Sequence, residues 1–167
     1  IAFFKDSGSA TTITQENTAD EVVIDRITFD SRAVTANTLF VCKGLNFKAS
    51  YLKDAVDRGA VAYLSEQDYA ADIPGIIVED IRLAMAQLAN FFYQSPWQDV
   101  AISGITGTKG KTTTAGFVNQ ILTLDSQKKG QALPGFVSST FNYDGLEKTP
   151  STLATPEAMD LYEMLAR

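Results

Sequence analysis

Three apolar residues, Val100, Ala101 and Ile102, run into a glycine-rich turn that closes on Gly110, Lys111, Thr112, Thr113 and Thr114. Few folds use that order. The apolar residues read as a short buried strand, and residues 115–124 as the helix that follows it. Between them Gly104, Gly107 and Gly110 let the backbone turn tightly, so that successive N–H groups can converge on an anion. The start of the helix adds unpaired N–H donors and a partial positive charge. Lys111 can bridge terminal phosphates, and the Thr112 hydroxyl can ligate a magnesium ion. The commonest form of such loops has a glycine where this chain has Ile105; here the glycine sits one residue earlier, at Gly104. A turn that merely joins a strand to a helix has no use for a lysine followed by three threonines, which are mediocre helix formers. The stretch reads as a phosphate-binding loop for a nucleoside triphosphate, set in an α/β domain.

The rest of the chain narrows the chemistry. It has no histidine, which excludes a histidine general base, a Ser-His-Asp triad and histidine zinc ligands. Carboxylates, hydroxyls, lysines and a bound metal remain. The net charge of −6, with no basic cluster larger than Lys128-Lys129, argues against a nucleic-acid partner, which needs grouped Lys and Arg. No apolar run approaches the roughly 20 residues that span a bilayer, so no membrane partner is expected. Cys42 is the only cysteine and reads as a small buried apolar residue. With no signal-peptide pattern, the expected location is the cytoplasm. The chain does not begin with Met, so its start is read as incomplete.

Hydrophobic patterning divides the 167 residues into two α/β units. Residues 1–20 are polar and read as weakly ordered or partly missing. Strands are expected at 22–24, 27–29, 39–42, 61–64 and 76–78. A helix is expected at 50–58, closed by Gly59. Another runs from Asp80, its N-cap, to Gln94, with Ile81, Ala84, Met85, Leu88, Phe91 and Phe92 along one face. Ser95 and Pro96 end it. The second unit opens at about residue 98 with the phosphate loop. Residues 125–130 read as a polar turn, 136–137 as a strand, and Asp144-Gly145 as a hairpin turn. Thr155, Pro156 and Glu157 read as the opening of a last helix, with Thr155 as N-cap. A nucleotide-binding domain of this kind needs more strands than follow, so the second unit is read as truncated.

Several of these motifs together resemble the Mur ligases of peptidoglycan synthesis. The family's loop, Gly-Thr-x-Gly-Lys-Thr-Thr, is matched by Gly107, Thr108, Lys109, Gly110, Lys111, Thr112 and Thr113. The family's Asp-Ser-Arg turn, Leu-Phe-Val strand and following glycine are matched by Asp30-Ser31-Arg32, Leu39-Phe40-Val41 and Gly44. Its Thr-Thr-Pro-Glu segment becomes Ala154-Thr155-Pro156-Glu157, one threonine short. The match is nearest to the branch that adds the third residue of the stem peptide, and to its lysine-adding members.

The resemblance implies an amino-terminal substrate domain over residues 1–97 and the beginning of a central ATP-binding domain over 98–167. It implies ATP and Mg2+ as cofactors, held by residues 107–113, with Lys111 and Thr112 in the catalytic role and Thr112 on the metal. It implies UDP-N-acetylmuramoyl-L-alanyl-D-glutamate and a diamino acid, lysine or meso-diaminopimelate, as partners. Phe29, Ser31, Leu45, Asn46 and Phe47 would line the uridine-nucleotide pocket, and Ala154 and Thr155 would lie near the muramoyl-peptide. Ser31 also suits a plain turn, and Thr155 a plain helix cap. Other phosphate-loop ligases, such as folylpolyglutamate synthetases, and an inert nucleotide-sugar-binding fragment are the alternatives. With much of the family's machinery lying further along, the chain alone is expected not to turn over.

Overall fold

A computed structural model describes residues 12–14, 22–151, 153 and 155–167. The chain divides into two compact units between Phe92 and Tyr93.

The first unit is a five-stranded sheet. Its strands are β1 (Thr12–Ile13), β2 (Arg26–Thr28), β3 (Thr38–Val41), β4 (Ala60–Ser65) and β5 (Gly75–Ile77), in the order β1-β5-β4-β3-β2. β2, β3, β4 and β5 are parallel, and β1 lies antiparallel on β5. The pairing brings Phe40 beside Tyr63 and Tyr63 beside Gly75. All four residues of β3 are buried, the continuous run expected of a parallel strand covered on both faces. Thr38, wholly buried, keeps its hydroxyl satisfied by donating to the Thr35 carbonyl at 2.7 Å.

Among the described residues, two α-helices belong to this unit. α1 (Ala49–Asp57) buries Leu52 and Ala55, and Gly59 follows its end. α2 (Ile81–Phe92) buries Ile81, Ala84, Met85, Leu88 and Ala89. Asp80 caps α2 as expected, its carboxylate accepting from the N–H groups of Arg82 and Leu83. The expected stripe shortens at its end, because Phe91 is 57% exposed. Residues 22–24 are irregular rather than a strand, since pairing with β3 starts only at Arg26. The expectation of a weakly ordered residue 1–20 segment is corrected at Thr12–Ile13, which pairs with Ile76 and Ile77; most of that segment lies outside the described residues.

The second unit holds α3 (Lys111–Lys129), a meander of β6 (Phe136–Val137), β7 (Phe141–Tyr143) and β8 (Lys148–Pro150), and α4 (Ala158–Ala166). The hairpin turn falls where Asp-Gly placed it. The Asp144 carboxylate accepts from the N–H groups of Leu146 and Glu147, which with Arg167 holds it well below the usual carboxylate range, at about 2.

Three expectations for this unit are corrected. Residues 125–129 continue α3 instead of turning: Lys129 pairs with Asp125 one turn back at 2.7 Å, and the helix ends only at left-handed Gly130. Their polarity marks a solvated helix face. Residues 100–102 form no buried strand; Val100 and Ile102 are 41% and 62% exposed. A strand exists through its ladder, and no described strand pairs with this segment. The last helix starts at Ala158 rather than at Pro156, because Glu157 holds extended backbone (φ −63°, ψ 153°) and takes the cap position. Along α3 the side chains of Phe117 and Ile121 are open to solvent, while Leu161 of α4 is half-buried.

Candidate functional site

The phosphate loop is built by backbone conformation first. Gly107 and Gly110 both sit at positive φ, 154° and 76°, a region closed to most L side chains. Gly110 is the residue before α3, and having no side chain it leaves the first-turn N–H groups of the helix uncapped. Lys111 then opens the helix with its ammonium folded back onto the Gly107 carbonyl, 2.5 Å away. The loop is thus a ring of chain with a cation across it and unpaired N–H donors beneath. Thr108, Lys109, Thr112 and Thr113 are all exposed around it. That donor set suits a polyphosphate.

Thr112 makes a contact that the local sequence does not announce. Its Oγ1 lies 3.2 Å from the Oγ of Ser139, which is 27 residues away on the loop joining β6 to β7. Among the described residues no three carboxylate or thiol side chains gather as a metal cluster. The oxygens this chain brings to the loop are hydroxyls, and oxygen ligands with retained water are what Mg2+ accepts.

The second set of expected residues collects in the first unit. Parallel strands put all their carboxyl ends on one edge of the sheet, where α/β folds bind ligands. Phe29 and Ser31 follow the end of β2, and Leu45, Asn46 and Phe47 follow the end of β3. Asp30 fixes the turn between them. Its carboxylate accepts from the Arg32 N–H and takes both Nε and Nη2 of the same guanidinium at 2.9 and 2.8 Å. That side-chain fork pulls the Asp30 carboxyl below its ordinary range and raises Arg32.

Leu45 and Asn46 stand at the exposed tip of a turn closed by the Phe47 N–H on the Gly44 carbonyl. Phe47 differs from them. Its ring packs against Phe40, Tyr51 and Tyr69, at the margin of the core. Lys43, which the sequence reading missed, places its ammonium 4.2 Å from the centre of the Phe29 ring. The signal available for it was its place in the Cys42-Lys43-Gly44 turn at a strand end.

Ala154 lies outside the described residues. Thr155 is exposed and precedes α4 by three residues. The adjoining Pro156 lines a cavity of about 380 Å³ with Asp144, Glu147, Asp160, Glu163 and Arg167.

Known proteins resemble this chain over most of its length. Residues 105–167 match the Mur ligase middle domain. The chain is 46% identical, over 92% of its length, to the UDP-N-acetylmuramoyl-L-alanyl-D-glutamate–L-lysine ligase of Enterococcus faecalis. It is 44% identical, over 85% of its length, to the UDP-N-acetylmuramyl-tripeptide synthetase of Ligilactobacillus salivarius. It spans 30% and 28% of those two relatives. Among solved structures, a UDP-N-acetylmuramoyl-L-alanyl-D-glutamate–2,6-diaminopimelate ligase superposes with a TM-score of 0.60 at 18% identity, over 86% of this chain and 29% of that one. MurF from Acinetobacter baumannii superposes with a TM-score of 0.54 at 23% identity, over 86% and 27%. Those two likenesses concern the fold alone. With its loop, its relatives and its fold in agreement, residues 105–167 of the chain belong to the Mur ligase middle-domain family.

Proposed function

We propose that this chain carries the nucleotide-sugar pocket and the phosphate loop of an ATP-dependent ligase that joins L-lysine to UDP-N-acetylmuramoyl-L-alanyl-D-glutamate in peptidoglycan synthesis. The observation that carries the reading is the loop itself: Gly107 and Gly110 in left-handed geometry, an uncapped helix start, and Lys111 folded across the mouth. The activities for which its relatives are named supply the substrate class. ATP, when bound with Mg2+, supplies a phosphoryl group that activates the substrate carboxylate for attack by the incoming amine.

What the residues of this chain contribute is placement and charge. The N–H groups at the start of α3 and the Lys111 ammonium neutralise polyphosphate oxygens, which in phosphoryl transfer is most of the catalytic task. Thr112 offers a hydroxyl oxygen to the metal. In the first unit, Phe29 and Ser31 hold the uridine nucleotide at the carboxyl edge of the sheet, and Leu45 and Asn46 close over it. Lys43 sets a cation beside them for the diphosphate. Thr155 contacts the muramoyl-peptide, with Ala154 forfeiting one hydrogen bond, typically about 0.5–1.5 kcal/mol. The cytoplasm, where such precursors are made, is the proposed location; no helix among the described residues is long and apolar enough to cross a membrane.

Calorimetric titration with UDP-N-acetylmuramoyl-L-alanyl-D-glutamate tests this, with UDP-glucose as control and Ser31→Ala as the perturbed pocket. Selective binding weakened by the substitution is the expected result. Equal binding of both sugars, or no effect at Ser31, counts against it.

A further inference from the structure

We propose that Ser139 is a positioning residue for Thr112: its Oγ accepts a hydrogen bond from the Thr112 hydroxyl and so turns that oxygen's lone pairs toward the mouth of the phosphate loop. The inference rests on the nucleotide reading above and deepens it by adding a residue from outside the loop.

The geometry has two parts. The first is how rigidly Ser139 is presented. Its neighbour Ser138 is buried, and the Ser138 Oγ donates to the Phe141 carbonyl at 2.9 Å while accepting from the N–H groups of Thr140 and Phe141. The Thr140 hydroxyl joins the same oxygen at 2.9 Å. The Ser138 N–H, in turn, reaches the Asn142 side chain at 3.4 Å. The short link between β6 and β7 is therefore tied down on both sides of Ser139, whose own side chain is exposed. The second part is the contact: Ser139 Oγ to Thr112 Oγ1, 3.2 Å.

The chemistry follows from what a hydroxyl can do. It has one proton to give and two lone pairs. To ligate a cation it must use a lone pair and send its proton elsewhere. Ser139 is the described side chain within reach that can accept that proton. Without it, no other described side chain fixes the direction of that proton, and rotation about χ1 can carry the oxygen off the mouth of the loop. With Thr112 donating to Ser139, the Ser139 proton is left to the solvent around that exposed side chain.

The test uses the 167-residue chain and a fluorescent ATP analogue, titrated with and without Mg2+. Wild type is expected to bind more tightly with the metal. Ser139→Ala should reduce that Mg2+-dependent gain about three- to tenfold, the worth of one hydrogen bond, and leave metal-free affinity unchanged. Ser139→Thr, which keeps the hydroxyl, should restore it. Thr112→Val should lose the gain, and the Thr112→Val/Ser139→Ala double variant should bind no more weakly than Thr112→Val alone, because Ser139 acts through Thr112. Circular dichroism of each variant checks that the fold is kept. An unchanged gain in Ser139→Ala, or losses that simply add in the double variant, would overturn the proposal and leave the nucleotide reading standing. A wild-type chain that binds no ATP analogue would overturn both.

Discussion

The ammonium of Lys111 sits 2.5 Å from the carbonyl oxygen of Gly107, four residues back across the loop. This bond closes the loop on itself and holds the cation over the uncapped helix start. It also sets up an exchange: a neutral carbonyl is a weaker partner for an ammonium than an anionic phosphate oxygen, which adds the attraction between opposite charges.

Lys111→Met is therefore expected to weaken ATP binding at least tenfold, about 1.4 kcal/mol, with no change in helix content. Fluorescence titration beside far-UV circular dichroism reads both. Undiminished affinity would show that the lysine only braces the loop.

Gly110 tests the backbone rather than the charge. A Cβ there would meet nothing within 4 Å, yet the residue sits at φ 76°. The left-handed penalty, roughly 1–2 kcal/mol for an L residue, is then the whole cost of Gly110→Ala. The loop can escape it only by leaving the conformation that aims its N–H groups inward. Nucleotide affinity should fall while the urea midpoint shifts little; a large fall in stability with affinity kept would contradict this.

In the first unit, Lys43 over the Phe29 ring predicts a split between two ligands. Lys43→Met should bind uridine as wild type does and UDP about tenfold more weakly, because only the diphosphate needs the cation. Ser31→Ala should weaken both. Parallel losses for uridine and UDP in Lys43→Met would place the lysine in the packing rather than at the phosphates.

Burial makes a prediction about alkaline pH. The Cys42 thiol is pushed up to about 12 by desolvation. Tyr63 is raised to about 12 by burial first, then by its hydrogen bond to the Asp68 carboxylate at 2.6 Å. Both groups are held neutral in the fold and ionise earlier when unfolded, near 9 and 10. Their contribution is complete below pH 9 and is lost as pH climbs from 9 to 12. Urea midpoints should drop across that window, and less steeply in Cys42→Ala and Tyr63→Phe. At pH 8 the native thiol should resist Ellman's reagent until the chain unfolds.

The chain by itself should release no ADP when given ATP, the muramoyl-dipeptide nucleotide and lysine. A coupled phosphate assay reads this directly, and sustained release would show that these residues suffice for turnover.

Much of this was legible in the order of residues. Glycine at 107 and 110, then Lys111 and Thr112, specify a turn, a cation and a helix start within six positions, because left-handed backbone and helix termini are local properties. The Asp80 cap, the apolar stripe from Ile81 to Leu88 and the Asp144-Gly145 hairpin were legible for the same reason. Where local signals compete, the reading failed: the polar residues 125–129 suit a turn or a solvated helix equally, and the Asp125–Lys129 pair decides for helix.

Tertiary structure alone decided the rest. Whether residues 100–102 become a strand depends on a paired neighbour, which composition cannot announce. Lys43 meets Phe29 because β2 and β3 run parallel, with Thr28 beside Phe40, so that residues following the two strand ends share an edge. Ser139 meets Thr112 across 27 residues because Ser138 ties down the link between two paired strands. Conformational preference acts over a few residues and can be read along a chain, whereas convergence of distant side chains is set by strand register and loop closure, which only the folded structure supplies.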